Sequence, residues 1–462
     1  MSKPRHMHPA FFYILLFIIV WVPLPLGSNR PWAWSVMEFF IFGLGASLLV
    51  IGREQIWHSL AGYKQILLIW LALLIVLTVQ VLPVPGSIVS LLSPHAYELQ
   101  NTTQTTTYYF SIDIGQSRIA LLKSTSYFVF FICLLLLIHN TQRLKVLLTT
   151  LFASAVFQAL YGTSELLFGL DYSLIFNLKV GDAVTGSFVY KNHYANFIML
   201  GLAAGIGLMV ANLQESKPYN SRDFLRSFVN ALLGNKALIR ISIAILVIAL
   251  VMSKSRMGNV AFFVAMTTCG ILALILIKNR TKGLTILIIS MFVIDLFIVS
   301  AYFGLGKVQE RLTQTSLAQE SRDEVVSDSL PIITDFPVIG SGAGSYYSIF
   351  PGYKQAEVHS FYDHAHNDYL QSLIENGVVA TLLLASIVLL TLRKAIFAMR
   401  DRKMSIMKGG AFSSAMAIVG MLIHMLVDFP TQSPANALYF ISFLALGLIV
   451  SHIRAIPIPK QD

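Results

Sequence analysis

The stretch Gln65-Ile-Leu-Leu-Ile-Trp-Leu-Ala-Leu-Leu-Ile-Val-Leu-Thr-Val-Gln-Val-Leu82 contains no charged residue. A helix rises about 1.5 Å per residue, so a run of this length crosses a hydrocarbon core roughly 30 Å thick. Its apolar residues do not alternate with period two, as those of a barrel strand would. Similar runs lie near 10–26, 32–52, 119–138, 146–168, 193–213, 238–252, 257–277, 284–303, 370–392, 410–427 and 435–452. Of the 462 residues, 56% are hydrophobic and only 12% are charged; soluble domains carry about 25% charged residues. The chain therefore reads as an all-α integral membrane protein with about twelve transmembrane helices and one long loop at 304–370.

The first run follows Met1-Ser-Lys-Pro-Arg-His and begins like a secretory signal. Pro23-Leu-Pro-Leu-Gly offers no small-residue cleavage site, so the run is expected to stay as the first helix. Cys133 and Cys269 both lie in apolar runs without metal-ligand spacing and read as small core residues. With the N-terminus inside, 22 of the 33 basic residues fall in inward segments, as the positive-inside rule asks. The net charge of +10 thus reflects topology, and no nucleic-acid partner is expected. The stretch 214–236 is basic and suits anionic headgroups. The outer segment 83–118, opening on Pro83-Val-Pro85 and Thr-rich at 102–107, is expected to be irregular.

Eleven basic residues remain on the outward side: Arg30, Arg118, Lys123, Lys179, Lys191, Lys254, Arg256, Lys307, Arg311, Arg322 and Lys354. Lys254 and Arg256 stand out, because Ser253-Lys-Ser-Arg-Met-Gly258 is a tight turn between two apolar helices. Charge held that close to hydrocarbon is costly and usually functional. Lys191, in Thr185-Gly-Ser-Phe-Val-Tyr-Lys-Asn-His-Tyr-Ala195, precedes another outward helix, which Asn192 and His193 could cap. Helix N-termini attract anions, and Arg forks grip phosphate oxygens. Lys191, Arg256, Arg311 and Arg322 therefore suggest a diphosphate site.

The long loop ends in His359-Ser-Phe-Tyr-Asp-His364-Ala-His366-Asn367-Asp368-Tyr369. Asp368 is expected as N-cap of the next helix, with Gln371 completing a capping box. His366 would then stand just before a helix N-terminus, whose positive end favours a neutral ring able to accept a proton. Asp363 or Asp368 could orient that ring. The plain alternative is a cap that merely ends a loop. No spacing here is diagnostic of a metal site, and no cofactor is expected. Gly340-Ser-Gly-Ala-Gly344 lacks the strand and helix of a nucleotide loop and reads as a flexible turn.

Tyr-Lys-Asn-His-Tyr-Ala (190–195), Ser-Lys-Ser-Arg-Met-Gly (253–258), Pro337-Val-Ile-Gly-Ser-Gly-Ala-Gly-Ser, His364-Ala-His-Asn-Asp-Tyr-Leu-Gln and His424-Met-Leu-Val-Asp-Phe-Pro-Thr-Gln-Ser-Pro-Ala-Asn resemble the O-antigen ligase and polymerase superfamily. The resemblance implies a GT-C-like membrane glycosyltransferase facing the periplasm. Such an enzyme takes a glycan from an undecaprenyl-diphosphate carrier, without metal or nucleotide sugar. It implies His366 as the essential loop histidine, with Asn367 and Asp368 its usual neighbours, and Arg256 as the arginine after the turn. Lys191 falls where many members have arginine. Asn192, His193, Lys254, Arg311, Arg322 and His364 are expected to bind substrate.

The implied organisation is N-terminal helices at 1–184, a ligase-like catalytic membrane domain at 185–440, and a last helix end and tail at 441–462. The expected reaction is metal-independent, inverting ligation of O-antigen to lipid A–core at the inner membrane. Polymerases and protein O-glycosyltransferases share the motifs, a growing glycan or a protein then being the acceptor. A flippase would place ionisable residues near the middle of its spans, whereas here they crowd one outer edge.

Overall fold

In the computed structural model the described residues are 8–102, 106–212, 235–277, 285–286, 288–290, 292–293, 322–355, 358 and 362–453. Among them the architecture is all-helical, with isolated β-bridges and no strand. Fifteen α-helices run as α1 (Pro9–Trp21), α2 (Pro31–Leu60), α3 (Lys64–Val81), α4 (Gly86–Leu92), α5 (Pro94–Thr102), α6 (Ile114–Leu137), α7 (Thr141–Leu167), α8 (Lys191–Ala211), α9 (Asn235–Met252), α10 (Arg256–Leu276), α11 (Arg322–Asp335), α12 (Tyr346–Ile349), α13 (Asp368–Asp401), α14 (Ser405–His424) and α15 (Pro434–His452). Nine helical segments among the described residues are long and apolar enough to span a membrane, and Pro9–Trp21 and Ala237–Met252 are shorter apolar helices. The run expected at 284–303 lies mostly outside the described residues.

Several boundaries differ from expectation: α2 continues to Leu60, and α6, α7 and α14 each start five residues early. The first helix stops at Trp21, two residues before Pro23, which has no backbone N–H to continue it. The helix expected at 370–392 continues to Asp401 and is broken at Gly377 (φ 68°, ψ 179°). α8, α14 and α15 form the middle of the bundle, and α8 and α15 are buried almost all round. A helix apolar on every side belongs in such a place. Small residues let the backbones close: a Cβ on Gly409 would stand 2.3 Å from the Gly207 carbonyl oxygen.

The main core runs from Phe12 in α1 to Val450 in α15. A second core lies at one end of the bundle, where Val89, Ala96 and Phe110 pack with Val325, Ile332, Phe336, Tyr346 and Ile374. Segment 83–118, expected to be irregular, thus contributes α4 and α5 to a cap. This end is the loop face of the molecule.

The Gly340–Gly344 turn fastens the cap to α13, and it is not a free turn. Gly340, Gly342 and Gly344 all have positive φ, which only glycine adopts without strain. Ser341 N donates to Ile374 O at 2.8 Å and Gly342 N to Glu375 O at 3.0 Å. Gln80 Nε2, at the end of α3, donates to Ile339 O at 2.7 Å and Glu375 O at 3.0 Å, while Ala343 N donates to Gln80 Oε1 at 3.0 Å. One glutamine from the N-terminal half thereby holds both the turn and the break in α13.

Candidate active site

The site grows from the start of α13. Asn367 is the N-cap, and its Oδ1 accepts from Tyr369 N and Leu370 N, both at 3.0 Å. The cap expected at Asp368 is therefore one residue earlier. Asp368, 3% exposed, instead turns its Oδ2 to Thr431 N at 3.0 Å, and its own N–H donates to Met425 O at 3.1 Å. Gln371 does not close a capping box. Its Nε2 donates to His364 Nδ1 at 3.1 Å and Glu375 Oε1 at 2.9 Å, and its Oε1 accepts from Ala365 N at 3.3 Å. Asp363 stands 3.9 Å from His364 Nε2. The two carboxylates expected to orient His366 thus serve Thr431 and the His364 side. His366 itself has φ +51°, a left-handed backbone that His, Asn and Asp tolerate better than other side chains.

The loop after α14 brings Phe429 into the middle of this cluster. His364 stacks on its ring at 4.4 Å and 28°, and His366 meets the ring edge-to-face at 4.8 Å and 82°. Tyr190 stacks at 5.5 Å and His193 sits perpendicular at 5.0 Å. His193 Nε2–H donates to the Phe429 carbonyl at 3.2 Å. Asn192 Nδ2 donates to Tyr190 Oη at 2.7 Å and to Asp428 Oδ2 in a short hydrogen bond. Asn436 Nδ2 supports the same turn of α8 through His193 O at 3.1 Å. Asn192, His193, His364, His366, Asn367 and Asp368 are therefore gathered around Asp428 and Phe429.

Asn192 and His193 were expected to cap α8, but the N-cap is Tyr190, without a side-chain hydrogen bond. Asp428 and Phe429 belong to the motif His424–Asn436 that carries part of the resemblance, but nothing in the sequence assigns either of them a role in the site.

Burial of His364 holds its pKa below the usual imidazole value, and the charge of Lys123 acts in the same direction. Asp363 and Gln371 oppose the shift without reversing it. The ring is thus neutral near pH 7, an acceptor for the Gln371 amide.

The basic residues sit at neighbouring helix starts. Lys191 and Arg256 are the first residues of α8 and α10, and both are exposed. A Cβ on Gly258 would lie 2.6 Å from Ala195 Cβ, so the first turns of these helices touch. Lys254, with φ +54°, forms a 2.7 Å ion pair with Asp182. That hydrogen bond and the charge of Lys254 hold the Asp182 carboxyl below its usual range. Lys191, Lys179, Asp182, Thr185 and Tyr190 line a cavity of about 450 Å³ beside this pair. No described hydrogen bond or ring contact joins Arg256 to the histidines. Arg322 opens α11, but its side chain, like the whole of Arg311 and His359, lies outside the described residues.

Residues 241–385 match the O-antigen ligase family. The matched segment carries Arg256, the cap residues 322–355 and His364 to Asp368, and it ends just past the break at Gly377. It bears out the resemblance to the O-antigen ligase and polymerase superfamily read from the motifs, and it supports a role in glycan transfer. Lys191–Asn196 and Asp428–Phe429 lie on either side of the O-antigen ligase match, yet they supply much of the cluster's packing. No curated protein matches the chain.

Proposed function

We propose that the chain transfers a glycan from an undecaprenyl-diphosphate carrier to an acceptor hydroxyl at the periplasmic side of the inner membrane, joining O-antigen to lipid A–core. The loop face is then the periplasmic face. The observation that supports this most is the imidazole cluster around Phe429, set on the same face as two touching helix starts that carry Lys191 and Arg256.

The acceptor oxygen attacks the anomeric carbon as His366 removes its proton. The bond from that carbon to the phosphate oxygen breaks, and its electron pair leaves with the diphosphate. A direct displacement inverts the configuration. Lys191 and Arg256 stabilise the charge that gathers on the leaving group, and charge-directed hydrogen bonds near a dry membrane edge are stronger than in water. Lys254 flanks that group, Arg311 and Arg322 are further candidates for it from the sequence alone, and Asn192, His193 and His364 shape the acceptor side. Asn367 and Asp368 hold the backbone of His366. No metal is invoked.

The deciding experiment is reconstitution with a labelled undecaprenyl-diphosphate glycan and each acceptor in turn, with chelator present. Labelled lipid A–core is the expected product. A lengthened lipid-linked glycan would identify a polymerase, and a labelled protein an O-glycosyltransferase. Absence of any transfer product, with glycan carried across vesicles instead, would sink the enzyme reading.

A further inference from the structure

Lys123 lies inside α6, an apolar segment long enough to span a membrane, and outside the matched region 241–385. Its Nζ sits 3.6 Å from the centroid of the Trp34 ring on α2. Glu38, one turn on from Trp34, is buried at 6% exposure and acts on Lys123 electrostatically. Glu38 Oε1 accepts no hydrogen bond among the described residues. An aromatic face supports an ammonium without occupying a hydrogen-bond acceptor, so the N–H groups stay available to an anion. A cation kept in a span at such cost calls for a functional reason.

Both helices are tied at the loop face to the elements that carry the cluster. On α6, Ser117 Oγ donates to Ala343 O at 2.8 Å, within the glycine turn that holds α13. Lys123 follows six residues on, about 9 Å further into the bundle by helical rise. On the approach to α2, Ser187 Oγ donates to Pro23 O at 2.6 Å and Ser433 Oγ to Gly27 O at 3.3 Å. Ser433 is four residues past Phe429. The charge of Lys123 is felt at His364. Lys123 therefore lies on the membrane side of the histidine cluster, where the phosphates of a lipid-linked donor would enter.

We propose that Lys123, resting on Trp34 beside Glu38, is a further phosphate-binding cation of the donor site and takes the diphosphate from the membrane side. This rests on the donor reading above.

The test measures binding of labelled undecaprenyl diphosphate to the purified full chain in phosphatidylcholine nanodiscs, with undecaprenol as the uncharged comparator. Lys123→Met should weaken diphosphate binding about 10- to 100-fold, the effect of one charge-assisted hydrogen bond. Lys123→Arg should restore most of it, and Glu38→Gln should bind within about threefold of wild type. Lys123→Met binding within about twofold of wild type would overturn the proposal. So would a Glu38→Gln loss equal to that of Lys123→Met, which marks a structural pair. The Glu38→Gln, Lys123→Met double variant removes both charges and guards against misfolding; if it regains diphosphate binding, the proposal fails. Competition by phosphatidylglycerol to the same extent would make this a general anionic-lipid site and overturn it. Arg256→Ala separates the two readings. Weakened binding there with Lys123→Met unaffected sinks only Lys123, whereas wild type that ignores the diphosphate sinks the donor reading and this inference together.

Discussion

His364 and His366 meet one phenyl ring, flat and edge-on, and the difference sorts their expected roles. Free imidazole titrates near about 6.5, and burial keeps His364 below that value. As pH falls below about 6.5, the unfolded chain takes up this proton first, so the folded state loses stability. The contribution is fully present above about 6.5 and declines toward the lower folded value. The thermal midpoint should fall on acidification from pH 7.5 to 5.5, and more gently in His364→Gln. Parallel curves for the two proteins would remove His364 from the account. His366→Ala should stop transfer while undecaprenyl-diphosphate binding is kept, because the diphosphate is held elsewhere. Arg256→Ala should lower turnover about 30- to 1,000-fold, the effect of roughly 2–4 kcal/mol at a developing charge. Arg256→Lys should recover a small part, since an ammonium lacks the fork. These polar residues were legible because so few occur in an apolar chain. The role of Phe429 was not: it stands in the motif His424–Asn436, but as one of 31 phenylalanines nothing in it marks the ring that four others touch.

The long helices followed directly from apolar run length, which the bilayer dictates. The cap did not. Its helices α4 and α5 come from a stretch rich in Pro and Thr, with weak intrinsic helicity, and they are supported by packing Val89 and Ala96 against α11. Short helices depend on such tertiary contact, which a single sequence does not display. The break in α13 was equally hidden, since Gly377 reads as one more glycine in a span. Its φ is +68°, and a Cβ there would stand 2.3 Å from Val338 O. Gly377→Ala should therefore cost about 1–3 kcal/mol from backbone strain alone, with the clash in addition. Thermal midpoint and transfer should fall together, because the glycine turn and the start of α13 are held as one piece. Asn367→Ala should be milder, about 1 kcal/mol for a lost N-cap. A Gly377→Ala protein as stable as wild type would show that the break is incidental.

At the scale of the whole molecule, the testable quantity is sidedness. Ser348 is exposed on the cap and Lys403 is exposed at the opposite end, between α13 and α14. Cys133 and Cys269 are buried and free, so introduced cysteines can be read against a quiet background. Ser348→Cys should react with an impermeant thiol reagent in intact cells, and Lys403→Cys only after permeabilisation. The reverse pattern would place the histidine cluster in the cytoplasm and overturn the proposed function. The bond from Asn192 to Asp428 spans 236 positions of chain, and that distance also sets a clock. During synthesis α8 emerges long before the Asp428–Phe429 loop. The ring that gathers the histidines arrives only when α15 is about to follow. A nascent chain halted between residues 369 and 427 carries its histidine motif without this centre. On the proposed function, transfer should begin only once synthesis has passed Phe429.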